Sequence, residues 1–132
     1  AQKEFEAAVS VDNEQLPMAR WRLAEAHIRA GNGQPALELL VPLEEKFPEQ
    51  YEVIAGIGFA NYVQGEFARA AEYLARAMQI RPADTTLLNA LGESFLKIGD
   101  TDKAKEALER SLAMEPDQKV TKDLLASIGT QE

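Results

Sequence analysis

Residues 51–84 read YEVIAGIGFANYVQGEFARAAEYLARAMQIRPAD, and residues 85–118 read TTLLNALGESFLKIGDTDKAKEALERSLAMEPDQ. Set one above the other, they place Gly65 on Gly99, Pro82 on Pro116, Ala70 on Ala104, Leu74 on Leu108 and Gly58 on Gly92. Residues 17–50 extend the same register upstream without a gap. They add Gly31, Ala36, Leu40 and Pro48, and set Leu23-Ala24 over Ile57-Gly58 and Leu91-Gly92. Glycine is about 7% and proline about 5% of an average sequence, so two exact triples at one fixed spacing mark an internal repeat.

Each unit predicts two helices. The first helices fall at roughly 17–30, 51–64 and 85–98, the second at roughly 34–46, 67–80 and 101–113. Gly31, Gly65 and Gly99 stand where a left-handed residue ends the first helix. Pro48, Pro82 and Pro116 follow the second, where a missing N–H is harmless and continuation is blocked. Ala24, Gly58 and Gly92 are expected to face Ala36, Ala70 and Ala104, letting the paired helices approach closely. Pro42 lies inside a second helix, where it predicts a kink, while Pro35 belongs in a tolerant first turn.

Composition supports the same reading. The 21 Ala and 15 Leu outnumber the 17 residues that are Val, Ile or Thr, which favours helix over strand. A length of 132 residues suits one domain. Without cysteine there is no disulfide, zinc finger or thiol nucleophile, and His27 alone cannot build an all-histidine metal site. A net charge of −8 disfavours nucleic acid, and the spacing of Arg20, Arg22 and Arg29 does not put all three on one helical face. The longest charge-free stretch, Val53 to Gly65, is 13 residues, too short to cross a bilayer. No basic segment followed by an apolar one opens the sequence in the manner of a signal peptide. A cytoplasmic location is the first expectation and the periplasm the second.

The repeat resembles the tetratricopeptide repeat (TPR) family, whose pattern runs aromatic, Leu-Gly, aromatic, Ala, aromatic, Ala and Pro across about 34 residues. The middle unit carries it as Ile54, Ile57-Gly58, Ala70, Leu74, Ala77 and Pro82. The third has Leu88, Leu91-Gly92, Phe95, Ala104, Leu108, Ser111 and Pro116. The first departs at Arg20, His27 and Leu43 but keeps Leu23-Ala24, Ala36 and Pro48. The resemblance implies an all-α, right-handed helical-hairpin solenoid in a single domain over 1–132. Its parts are TPR units at 17–50, 51–84 and 85–118, with a leading helix and a C-terminal capping helix. Pentatricopeptide RNA binders share nearly the same period, but an acidic chain argues against them.

Residues 1–15 match the second helix of a truncated unit through Ala1, Phe5 and Ala8, with Leu16 as one extra residue. A start in mid-repeat is expected of a piece excised from something longer. Residues 119–128 predict a capping helix whose Val120, Leu124 and Ile128 form one stripe over the last apolar face.

The resemblance also implies which side chains line the concave wall. Its groove positions yield Trp21, Arg22, Glu25, Ile28 and Arg29 from the first unit, with Met18 at the edge. They yield Ala55, Phe59, Tyr62 and Val63 from the second, and Asn89, Glu93, Leu96 and Lys97 from the third, with Glu52, Gly56, Thr86 and Ala90 between them. An apolar, aromatic centre of this kind is expected to bind a peptide or helix, with Phe59 and Tyr62 as anchors and Trp21 at the rim. Arg22, Arg29 and Lys97 would select acidic flanks. The carboxylate clamp that holds chaperone tails needs cations and amides where this chain has Trp21, Glu25, Gly56, Thr86 and Ala90, so that mode is not expected. The alternative is architectural: a repeat region of a larger protein, itself possibly enzymatic outside these residues, whose groove packs on another domain or a second copy.

No enzymatic function is expected from these residues, and no cofactor or metal. His27 takes the place of a packed family aromatic, and Ser10, Ser94, Ser111 and Ser127 lie in no nucleophile motif. Asp100-Thr101-Asp102 lacks the later ligands of an EF-hand and reads better as a helix cap. Gly31-Asn32-Gly33 has neither the lysine nor the preceding strand of a phosphate loop.

Overall fold

The computed structural model describes residues 17–131, so the leading helix expected over 1–15 lies outside the described residues. Seven helices follow one another among them: α1 Pro17–Arg29, α2 Gly33–Lys46, α3 Tyr51–Val63, α4 Phe67–Ile80, α5 Thr85–Lys97, α6 Thr101–Met114 and α7 Lys119–Gln131. The described residues contain no strand. The fold is an all-α solenoid of helical hairpins.

The glycine turns are the same device built three times. Gly31, Gly65 and Gly99 have φ of 83°, 82° and 88°, and no other residue described has a positive φ. At each, the glycine N–H bonds back three residues and the next N–H bonds back five. The longer bonds are Asn32 to the His27 carbonyl at 2.7 Å, Glu66 to Asn61 at 2.9 Å and Asp100 to Phe95 at 2.9 Å. This double closure satisfies carbonyls that the helix end would otherwise orphan. Two helix starts, one after an inter-unit loop and one after a glycine turn, are capped by side chains. Asp84 accepts from the Leu87 N–H at 2.9 Å, and Asp100 from that of Lys103 at 3.2 Å.

Packing proceeds along the array, junction by junction. Ala24, Ala36, Leu40, Val53, Ile57 and Ala60 form one buried cluster. Ile54, Ala70, Leu74, Leu87 and Leu91 form the next, and Ala104, Leu108 and Ile128 close the end. Helix α3 contributes to two clusters and is buried from Val53 to Gly58 and again at Ala60 and Asn61. That explains why it carries no charge beyond Glu52 in its first turn: a helix apolar all round is a buried one. Its polar residue, Asn61, turns its amide back onto the Ile57 carbonyl at 2.9 Å.

The structure refines three expectations. A Cβ at Gly58 would lie 2.8 Å from Leu74 Cδ2, and one at Gly92 would lie 2.7 Å from Leu108 Cδ2, so the small residues accommodate the leucine row more tightly than the alanine row. Helix α2 is continuous from Gly33 to Lys46, so the kink expected at the exposed Pro42 does not divide it. The cap stripe holds at Leu124 and Ile128 but not at Val120, whose place inside is taken by Thr121. Val120 is 73% exposed, while Thr121 and Ile128 are buried at 2% and 3%. Thr121 can go inward because its hydroxyl donates to Asn89 Oδ1 at 3.1 Å.

Candidate functional site

The first helices of the hairpins, α1, α3 and α5, present one continuous face with two depressions. The upstream one, of about 420 Å³, is lined by Trp21, Glu25, Ile28 and Arg29 of α1 and by Ala55, Gly56 and Phe59 of α3. The downstream one, of about 550 Å³, is lined by Phe59, Tyr62 and Val63 of α3 and by Thr86, Asn89, Ala90 and Glu93 of α5. Phe59 and Thr86 belong to both. Phe59 is half-buried between the Ile54–Leu74 cluster below and the open face above.

Helical spacing accounts for the alignment. Ala55, Phe59 and Tyr62 are separated by four and three residues, so they fall on one side of α3. Ala55 is small and buried, which keeps the floor between the aromatic rims low.

Polar groups on this face are mostly engaged with one another. The Tyr62 hydroxyl donates to Glu93 Oε1 at 2.6 Å, joining α3 to α5 across the downstream depression. Burial first, then the hydrogen bond to Glu93 and its charge, push the Tyr62 phenol up to about 12. At the upstream edge the Arg81 guanidinium lies 4.3 Å from the Tyr51 ring centroid and donates to Glu52 Oε2 at 3.3 Å. Gln50 donates to the other Glu52 oxygen at 2.7 Å. Burial pushes the Glu52 carboxyl up. Hydrogen bonds from its own backbone N–H and from Gln50, with the charge of Arg81, outweigh that and leave it below the ordinary range. Burial, reinforced by Asp84, raises the Tyr51 phenol against the opposing pull of Arg81. Arg29 pairs with Glu25 at 3.5 Å on the exposed surface, worth about 0.3–0.5 kcal/mol at best.

Of the residues expected to face the groove, Trp21, Glu25, Ile28, Arg29, Ala55, Phe59, Tyr62, Val63, Asn89 and Glu93 line the depressions. Arg22, Leu96 and Lys97 do not. Leu96 packs beneath α7 with Ala104, Leu108 and Ile128, and Arg22 and Lys97 are exposed to solvent. Asn89 lines the downstream depression but is already bonded, its amide donating to Gln118 Oε1 at 2.8 Å and its oxygen accepting from Thr121. Among the lining residues that escaped the sequence reading are Tyr51, Arg81 and Asp84 at the upstream rim and Gln118, Lys119 and Thr121 at the downstream end wall. They lie in inter-unit loops or at helix starts, outside the first-helix positions to which the resemblance points. No group of three or more His, Asp or Glu side chains suited to a metal ion occurs among the described residues.

Two family models, each described as a tetratricopeptide repeat, match residues 23–85 and 64–128. Cellulose synthase operon protein C of Pseudomonas fluorescens (strain SBW25) is 25% identical over 93 residues, 70% of this chain and 7% of that protein. The chain spans only 6–8% of the length of the curated relatives it matches. Among solved structures, MamA superposes with a TM-score of 0.82 at 20% identity, over 94% of this chain and 72% of that one. The first TPR domain of Spaghetti (RPAP3), bound to the HSP90 peptide SRMEEVD, gives 0.76 at 17% identity, over 86% and 90%.

Proposed function

The chain belongs to the tetratricopeptide repeat family, and from that premise we propose that it is a protein-interaction module holding a partner's extended peptide or helix on the α1–α3–α5 face. The observation that carries the reading is the pair of depressions meeting at Phe59. A half-buried aromatic ring shared by two adjoining pockets can be covered from both sides by successive apolar side chains of one ligand, and such central, desolvating contacts dominate binding energies. Trp21 and Tyr62 extend the apolar strip toward either end, and Arg29 in the upstream depression favours an acidic flank. Tyr62 acts through its ring alone, since its hydroxyl is spent on Glu93.

The ligand we propose is internal sequence and not a free C-terminus. Trp21, Glu25, Gly56 and Thr86 in the upstream depression and Ala90 in the downstream one supply neither a cation nor an amide for a terminal carboxylate. Likeness to the peptide-bound RPAP3 domain supports the fold of the groove and not its specificity. We assign no catalysis to these residues, and the net charge of −8 speaks against nucleic acid. No described helix is long and apolar enough to cross a membrane.

The architectural alternative places another domain of the same polypeptide, or a second copy, on the same face. Affinity capture from source-cell lysate, with wild type beside Phe59→Glu, tests the proposal. A polypeptide retained only by wild type supports it, and binding to that polypeptide should fall by at least 2 kcal/mol, the scale of a hot-spot residue. Unaltered affinity in calorimetry, with helicity unchanged, would remove Phe59 from the site.

A further inference from the structure

The opposite face carries two junctions built from equivalent positions and finished differently. Between α2 and α4, Tyr73 packs against both neighbouring core clusters. Its hydroxyl donates to Glu44 Oε1 at 2.8 Å, Arg76 donates to Glu44 Oε2 at 3.0 Å, and the Arg76 guanidinium lies 4.9 Å from the Tyr73 ring centroid. Tyrosine, glutamate and arginine together plug that junction. One repeat later, between α4 and α6, most of the frame recurs. Leu88 and Leu91 replace Ile54 and Ile57 in the floor, Lys103 replaces Arg69, Glu106 replaces Glu72, and Arg110 replaces Arg76. The plug does not recur: Ala107 stands for Tyr73 and Met78 for Glu44. A cleft of about 530 Å³ results, with Leu88, Leu91 and Ala107 among its lining and Lys103, Glu106 and Arg110 at its rim. Phe95, in the place of Asn61, lines the cleft without closing it.

We propose that this α4–α6 cleft is a second docking site, distinct from the groove, which takes an aromatic side chain flanked by carboxylates from a partner polypeptide. The first junction already contains the complex in miniature. An aromatic ring lies over the apolar floor, an arginine stacks on it, and a carboxylate bonds both the hydroxyl and the guanidinium. Arg110 and Lys103 against Glu106 at the rim complement such a ligand on a molecule that is otherwise acidic, Lys103 lying 5.6 Å from the Phe95 ring centroid and 4.0 Å from Asp100. A separate partner fits better than the tyrosines of a second copy. The chain's three tyrosines are engaged within the fold: Tyr51 with Arg81, Tyr62 with Glu93 and Tyr73 with Glu44.

The probe is acetyl-Glu-Tyr-Glu-amide, titrated into the ¹³C-methyl-labelled chain, with acetyl-Gln-Ala-Gln-amide as control. The expected result is a saturable shift of the Met78, Leu88, Leu91 and Ala107 methyls with the first peptide alone. Arg110→Glu should weaken it about fivefold or more, as expected for a reversed charge beside a carboxylate. Met78→Glu/Ala107→Tyr rebuilds the internal plug and should abolish the shift, while Phe59→Glu leaves it unchanged, separating this site from the groove. Should the double variant misfold, Arg110→Glu at its exposed position decides. Shifts confined to the depressions around Phe59, equal shifts in wild type and Arg110→Glu, or no shifts would each overturn the proposal. Cleft shifts that grow with protein concentration in the absence of peptide would do the same, by making a second copy the occupant.

Discussion

Ser94 is fully buried, and its hydroxyl has no hydrogen-bond partner among the described residues. The corresponding places in the earlier units hold Ala26 and Ala60, so the fold asks only for a small side chain there. A buried hydroxyl left unsatisfied costs about 1–3 kcal/mol. Ser94→Ala is therefore expected to stabilise the chain by about 1 kcal/mol, seen as a raised Tm, and a lowered Tm would mean that the hydroxyl does bond. At this scale the sequence is partly legible. Gly31, Gly65 and Gly99 announce their left-handed conformation because few other residues tolerate it. Asn89 could be placed on the groove face from its register. That its amide is already held by Gln118 and Thr121 depends on where another helix lands, which no local pattern encodes.

The helices were legible from spacing, and their faces less so. Counting only apolar residues along α7 selects Val120, Leu124 and Ile128, yet the buried side runs through Thr121. A polar residue goes inside when its partners are supplied from elsewhere, and hydropathy cannot see partners across helices. Gln118 organises this end. Its amide donates to the Ser111 carbonyl and hydroxyl at 3.0 Å each and to the Glu115 carbonyl at 2.8 Å, while its oxygen accepts from Asn89. Gln118→Ala should cost about 1–3 kcal/mol, because it strands half-buried partners. The loss is expected to be local: amide exchange in α7 should quicken while α3, buried between two clusters, keeps its protection. Equal acceleration along the whole chain would contradict the claim that Gln118 fastens the cap.

Across the whole molecule, Tyr51, Tyr62 and Tyr73 all titrate above the ordinary phenol value of 10, burial being the largest cause in each. In the unfolded chain the same phenols ionise near 10. Between that value and the folded ones, the unfolded state has released more protons, so stability falls as pH rises. The contribution is complete below about pH 10 and is lost toward about 12 for Tyr62. Phenolate absorbance and helix loss should accordingly appear together in an alkaline titration. Three phenolates formed near pH 10 with helicity intact would contradict the tyrosine environments described.

The period and the hairpin order were readable in the sequence because they repeat, whereas the central apolar strip, with Phe59 where the neighbouring units have Glu25 and Glu93, was read from the groove positions that the resemblance supplies. The outer cleft was not readable, because it arises from a difference between repeats, Tyr73 against Ala107, which gains meaning only once the rest of the frame is seen to coincide. The central claim is that Phe59 faces a partner. Its most direct test is a photo-crosslinking amino acid at position 59 of the protein in source cells, with exposed Val41 of α2 as the control position. A crosslink from position 59 to a separate polypeptide is expected, and none of that mass from position 41. A crosslink from 59 only within its own polypeptide, or the same products from both positions, would contradict it.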